Sequence, residues 1–168
     1  ATWIFIMATP ATQTAGNAVI NGGDAWKVAY SLMRQSEGTR CVHDPVRTLK
    51  GITQGTYDRY RRDAGLGPAD VCTSLTEREA EMIYYRYYWV SSGASQIATQ
   101  SPATAITFFD MAVNAGNGVA KNIYSQCGNN ARCFNDSRES FYRSSRSCHL
   151  YCNGWLNRLA RIRKVTEG

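Results

Sequence analysis

The stretch SEGTRCVHDPVRTLKGIT, residues 36–53, sets Glu37 directly before a glycine and Asp44 seven residues further on. Two carboxyl groups on one short segment can divide acid and base work. That division needs one of them partly withdrawn from water, where a carboxyl holds its proton more firmly. The other acidic side chains have plainer uses. Among six glutamates and seven aspartates, Glu77, Glu79 and Glu81 crowd the first turns of an expected helix, where the helix dipole favours negative charge. Glu139, Glu167, Asp58 and Asp63 lie in charged surroundings. Asp110 interrupts the apolar segment FFDMAVNAG and is expected as a buried carboxylate that accepts hydrogen bonds from backbone donors. Glu37 and Asp44 remain. On residue type alone, Glu37 reads as an ordinary surface carboxylate at a helix end rather than as the acid of a site.

The elements that must hold these groups can be read from periodicity and punctuation. Trp26, Ala29, Leu32 and Met33 recur at helical spacing after Asp24, so a helix should end near Ser36 and leave Glu37 at its C-terminal end. Residues 38–53 form a polar loop broken by Gly38, Pro45 and Gly51, with room for a short hairpin. A second helix covers about Gln54–Arg62 and is closed by AGLGPAD. Thr76 with Glu79 three residues later forms a capping box, and Ala80, Ile83, Tyr84 and Tyr87 carry an apolar stripe as far as Trp89. Ser101 before Pro102 opens a helix with ITFFDMAV as its buried body, and NAGNG breaks it. Residues 117–126 resume as a helix, and a last long one runs from about Ser145 to Lys164. The pattern is mainly α. Residues 24–168 read as one domain and residues 1–23, rich in Ala, Thr, Gly and Asn, as an N-terminal arm or short strand.

Composition agrees with one core: 168 residues with 43% hydrophobic content are enough for a single compact unit. The formal charge is +6 and the pI about 9.1, with fifteen arginines against four lysines. Arginine binds planar anions through two parallel hydrogen bonds, so cell-wall polymers, nucleic acid and acidic lipid headgroups are the candidate partner classes. No nucleic-acid-binding motif accompanies the charge. The opening ATWIFIMATP holds an apolar run far shorter than the roughly 20 residues a bilayer demands, so no membrane span is expected. It also lacks the basic start of a complete signal peptide, and Ala1 in first place leaves open the removal of an initiator methionine or of a longer leader.

Six cysteines, Cys41, Cys72, Cys127, Cys133, Cys148 and Cys152, permit full pairing. Disulfides are expected, with Cys127 and Cys133 closed through the flexible loop GNNAR. Cys148 and Cys152 stand about one helical turn apart, so each could instead reach across to Cys41 or Cys72. A zinc site at Cys127, Cys133, Cys148 and Cys152 departs from the usual ligand spacing, and buried free thiols are the remaining alternative.

SEGTRCVHDPVRTLKGIT is followed by TYDRYR, LTEREAEMIYYRYYW, FFDMAVNAGNGVAK and GWLNRLARI. In that order these motifs resemble the glycoside hydrolase family 108 lysozymes, part of the lysozyme-like superfamily, over residues 26–164. The resemblance implies a mainly α, lysozyme-like single domain with a short loop or hairpin after the helix that carries the catalytic glutamate. It matches Glu37 to that glutamate, Asp44 to a loop aspartate, Thr48 to a threonine, and Gly51, Ile52 and Thr53 to a Gly-Ile-Thr motif. The chain departs from the pattern at Thr39, where the family has a second glycine, and at Val46 and Arg47, which replace a glycine pair. The interval from Glu37 to Gly51 is also shorter, and residues 1–23 and the cysteine set have no counterpart.

The resemblance further implies hydrolysis of peptidoglycan glycan strands, with Glu37 protonating the leaving oxygen. Asp44 or Thr48 would hold water on the opposite face of the sugar, an inverting arrangement. Thr53, Tyr57, Tyr88 and Trp89 are the expected substrate-binding residues, with Tyr60 and Tyr87 as further stacking faces, although tyrosines at helical spacing more often serve a core. Arg40, Arg47 and the C-terminal arginines would attract an anionic wall. No cofactor and no metal is expected. Residues 1–23 are left for contacts with other virion or envelope proteins, and the expected location is extracytoplasmic: secreted, periplasmic or virion-associated. The rival reading is a catalytically inactive lysozyme-fold component of a virion or cell envelope that holds glycan.

Overall fold

The computed structural model describes residues 12–15, 18–21, 24–43 and 45–167. β1 (Thr12–Ala15) and β2 (Ala18–Asn21) pair antiparallel, with Thr12 opposite Asn21. α1 (Ala25–Ser36) turns Ala25, Ala29 and Met33 inward. Its last helical turn gives way at Glu37, which is extended at φ −96° and ψ 141°. β3 (Thr48–Leu49) and β4 (Ile52–Thr53) form the expected hairpin, Leu49 opposite Ile52. Its two-residue connection is Lys50–Gly51, with φ of 54° and 78°. Positive φ at both central positions is what a type I′ turn requires to match the twist of the flanking strands.

Thr53 then caps α2 (Gln54–Asp63), accepting a hydrogen bond from the Thr56 amide. α3 (Val71–Ser74) is a single turn capped by Asp70. α4 (Glu77–Tyr84) carries the complete capping box between Thr76 and Glu79 and runs on without a break into a π-helical segment, Tyr85–Val90. After the short α5 (Ala94–Ala98) come α6 (Pro102–Ala115), α7 (Asn117–Cys127), α8 (Ala131–Ser144) and α9 (Cys148–Thr166). Every residue of α6 from Pro102 to Ala112 is buried. A helix buried on every side belongs inside a core, and α6 is packed by α1, α5, α7, α8 and α9, with the β1–β2 hairpin also against it. The domain is mainly α and lysozyme-like.

Two expectations need correction. Residues 131–144, left without an element in the sequence, form α8, and the last helix begins at Cys148 rather than near Ser145. The buried face of α8 is Phe134, Asn135, Arg138 and Tyr142, a helical spacing in which two of four members are polar, so no apolar stripe announces it. The cysteine pairing also differs in part. Cys127 bonds Cys133 as expected, but Cys148 bonds Cys152 within α9, and Cys41 bonds Cys72. At four residues' separation on one helix the Cα atoms of Cys148 and Cys152 are already 4.5 Å apart, inside the range a disulfide needs. All six thiols are consumed, which removes both the zinc reading and the free-thiol reading. Among the described residues no helix is long and apolar enough to cross a membrane.

Candidate active site

Where α1 ends, the chain can no longer bury Glu37 on a helix face, and its carboxylate meets the β3–β4 turn instead. A Cβ placed on Gly51 would lie 2.8 Å from Glu37 Oε2 and would collide with Tyr84 Oη. Gly51 is therefore glycine for two reasons: positive φ, and backbone pressed against a carboxylate and a phenol. The turn is held from beneath. Tyr84 of α4 donates to the Lys50 carbonyl at 2.8 Å, and Lys50 Nζ pairs with Glu77, which also takes a 3.5 Å contact from Arg34. Burial first, and then the charge of Glu37, push the Tyr84 hydroxyl well above its ordinary pKa, so it stays a neutral donor. Tyr88, in the π-helical segment and packed on Tyr84 at 5.2 Å between ring centroids, is pushed up by the same two causes.

On its other side Glu37 meets α9. Arg158 Nη1 lies 3.5 Å from Glu37 Oε1, and the Glu37 side chain keeps about 21% of its surface exposed. Arg158 is aimed by Asp110, to which it donates from Nε at 2.9 Å and from Nη2 at 3.1 Å. Arg138 of α8 donates to the same carboxylate at 2.8 Å and also to Thr107 and Tyr142. Burial raises the Asp110 pKa, but the two guanidinium groups more than reverse it, leaving the carboxyl below its ordinary range. The result is a continuous line from α8 through Asp110 and Arg158 to Glu37. A partly exposed carboxyl fixed between a guanidinium and a glycine turn is held in one place and opens on the adjoining solvent space, within reach of an oxygen bound there.

The expected site residues separate into four groups. Glu37 stands at this junction, and Tyr88 is close enough for its titration to be affected by the Glu37 charge. Thr48 sits in the hairpin that faces Glu37, but its hydroxyl donates to the Val46 carbonyl at 2.9 Å, and Thr53 is committed to capping α2. Asp44 lies outside the described residues. Tyr57 and Trp89 need correcting: at 0% and 3% exposure they are core residues and present no face to a sugar. Tyr57 instead donates to Glu79 at 3.0 Å, and Trp89 packs on Trp26 and Phe109. Asp110 is buried as expected, but its partners are two arginines from distant helices rather than backbone donors. Sequence reasoning gave no site role to Tyr84, Arg138 or Arg158 and placed Gly51 only in the Gly-Ile-Thr motif. Tyr84 and Arg158 do fall inside two of the family-like motifs.

A helical domain whose first long helix ends in a glutamate facing a two-stranded hairpin is a lysozyme-like architecture. The family described as glycosyl hydrolase 108 matches residues 30–116, more than half of the chain, and the chain belongs to that family. The matched segment contains Glu37, Thr48, Gly51, Tyr84 and Asp110, whereas Arg138 and Arg158 lie beyond it. Among solved structures, SagA of Brucella abortus is similar in fold, with a TM-score of 0.65 and 20% identity, covering 84% of this chain and 92% of that one. No curated protein matches significantly.

Proposed function

We propose that this chain hydrolyses glycosidic bonds in the glycan strands of peptidoglycan with Glu37 as general acid. The observation that carries the reading is the position of the Glu37 carboxylate: part-exposed at the end of α1, against the Gly51 backbone and 3.5 Å from Arg158. Family membership supports glycoside hydrolysis, and the basic surface suits an anionic polymer. Asp44 or Thr48 supplies the group that holds the attacking water. Three disulfides support an extracytoplasmic location, since such bonds persist in oxidising compartments. Residues 1–23 serve as an N-terminal arm, of which the β1–β2 hairpin lies against α6.

A second reading, a glycan-holding envelope or virion component without activity, is favoured by the engagement of the Thr48 hydroxyl on its own loop. Zymography on purified peptidoglycan with the parent and Glu37→Gln separates the two. The amide keeps the side chain's size but cannot donate the proton, so turnover should fall at least about 10²-fold, while the weakened contact with Arg158 costs about 1–2 kcal/mol of stability and leaves the variant folded. A parent with no hydrolysis, and wall binding equal in parent and variant, would leave the second reading standing.

A further inference from the structure

Beside Glu37, between the end of α1 and the first half of α9, runs an open groove of about 500 Å³. Ser36 and Arg158 line it, so it adjoins the Glu37 site directly. Two features of its wall are unusual. Tyr151 is 55% exposed, yet its ring rests 5.6 Å from Trp155, which is itself stacked on Tyr142 at 5.2 Å. The Cys148–Cys152 disulfide ties the turn that carries this aromatic platform. An exposed ring made rigid from behind is suited to the apolar face of a pyranose, because stacking there orders nothing further.

The second feature is charge. Arg158 and Arg161 line the groove, and no carboxylate does among the described residues. Arg161 donates from Nη2 to Ser36 Oγ at 2.8 Å, while its Nε is buried without a hydrogen-bond partner among the described residues. Asn114 and Asn157 add neutral donors and acceptors along the same wall.

We infer that this groove is a glycan subsite that extends the Glu37 site along α9, with Tyr151 stacking a sugar ring and Arg161 receiving a carboxylate borne by the strand. The inference rests on the peptidoglycan reading above for the identity of the strand. The carboxylate has two sources, the lactyl group of sugars that carry no stem peptide and, where a peptide is joined to that group as an amide, the carboxylates of the peptide itself. Arg161 recognises the chemistry they share.

Binding is measured in the Glu37→Gln background, where hydrolysis does not interfere, using three probes: N-acetylglucosamine hexamer, amidase-stripped glycan strands and strands with stem peptides intact. Tyr151→Ala should weaken all three about 10-fold, and Tyr151→Phe should bind like the parent. Arg161→Gln should abolish the preference for carboxylate-bearing strands and leave the uncharged hexamer unaffected, while Arg161→Lys retains part of that preference. A preference already present on stripped strands assigns the lactyl carboxylate; one that appears only on intact strands assigns the stem peptide. Thermal midpoints equal to the parent's exclude a folding defect. Parent-like binding of Tyr151→Ala and Arg161→Gln to all probes overturns the subsite, as does an Arg161→Gln loss of equal size on the hexamer. Hydrolysis by the Glu37 protein is read separately. Groove-dependent binding without turnover sinks the general-acid reading alone, and turnover with groove-independent binding sinks the subsite alone.

Discussion

Arg158 grips Asp110 through two parallel hydrogen bonds, Nε to Oδ2 at 2.9 Å and Nη2 to Oδ1 at 3.1 Å, with the Asp110 side chain at about 1% exposure. This pair fixes where the third nitrogen of the guanidinium points, and it points at Glu37. A buried arginine is tolerated only while its counter-charge is present. Asp110→Asn leaves Arg138 and Arg158 buried around a neutral amide and should lower unfolding free energy by about 3–5 kcal/mol. Urea denaturation measures this, and a loss below about 1 kcal/mol would show that the ion cluster is dispensable. The folded fraction should also lose activity, because Arg158 would no longer be aimed.

How much of this was legible beforehand depended on where apolar periodicity coincided with burial. The ends of α1, the hairpin, the capping box of α4 and the Ser-Pro start of α6 all follow local rules, and each appears where those rules place it. Glu37 was legible as a helix-end carboxylate for the same reason. Its surroundings were not. Arg138 and Arg158 come from 28 and 48 residues beyond Asp110, and nothing local marks two arginines as inward-facing among fifteen. Tyr57 and Trp89 failed for the opposite reason: aromatic type suggested sugar stacking, but helical spacing had already assigned them to the core.

Gly51 offers a test of the close approach between hairpin and carboxylate. Gly51→Ala adds a left-handed backbone penalty of about 1–2 kcal/mol and pushes a methyl group into Glu37 and Tyr84. Gly51→Asn should be the milder variant in stability, since asparagine visits positive φ more readily. Both should lose most hydrolytic activity, because both carry a Cβ. If Gly51→Asn regains stability and activity together, backbone strain is the whole effect and the contact with Glu37 carries none of it.

Acid stability should report on Asp110. Its folded-state pKa lies below the unfolded value of about 3.9. Its contribution to stability is therefore complete above that unfolded value and is lost as pH falls through the folded one. Asp70, held low by Arg47, and Glu77, held low chiefly by Lys50, act in the same direction from the surface. The thermal midpoint of the parent should fall steeply below about pH 4. The Asp110→Asn variant, already destabilised, should show a shallower fall over the same range. Parallel curves for the two proteins would mean that Asp110 does not titrate with folding.

The three disulfides should differ in what their removal does, because they close loops of different length and tie different parts of the fold. Cys41–Cys72 spans 31 residues, against 6 for Cys127–Cys133 and 4 for Cys148–Cys152. By loop-closure entropy its removal should cost about 3–4 kcal/mol and that of Cys148–Cys152 about 2 kcal/mol. The long loop contains the β3–β4 hairpin and begins four residues after Glu37, so opening it frees the turn that faces the carboxylate. The Cys41→Ser/Cys72→Ser double variant should therefore lose glycan hydrolysis even at temperatures where circular dichroism shows it folded. Cys127→Ser/Cys133→Ser, whose bond joins α7 to α8 away from Glu37, should keep its activity while folded. Equal activity losses in these two double variants would mean that the Cys41–Cys72 bond acts only through global stability and not by holding the hairpin to the site.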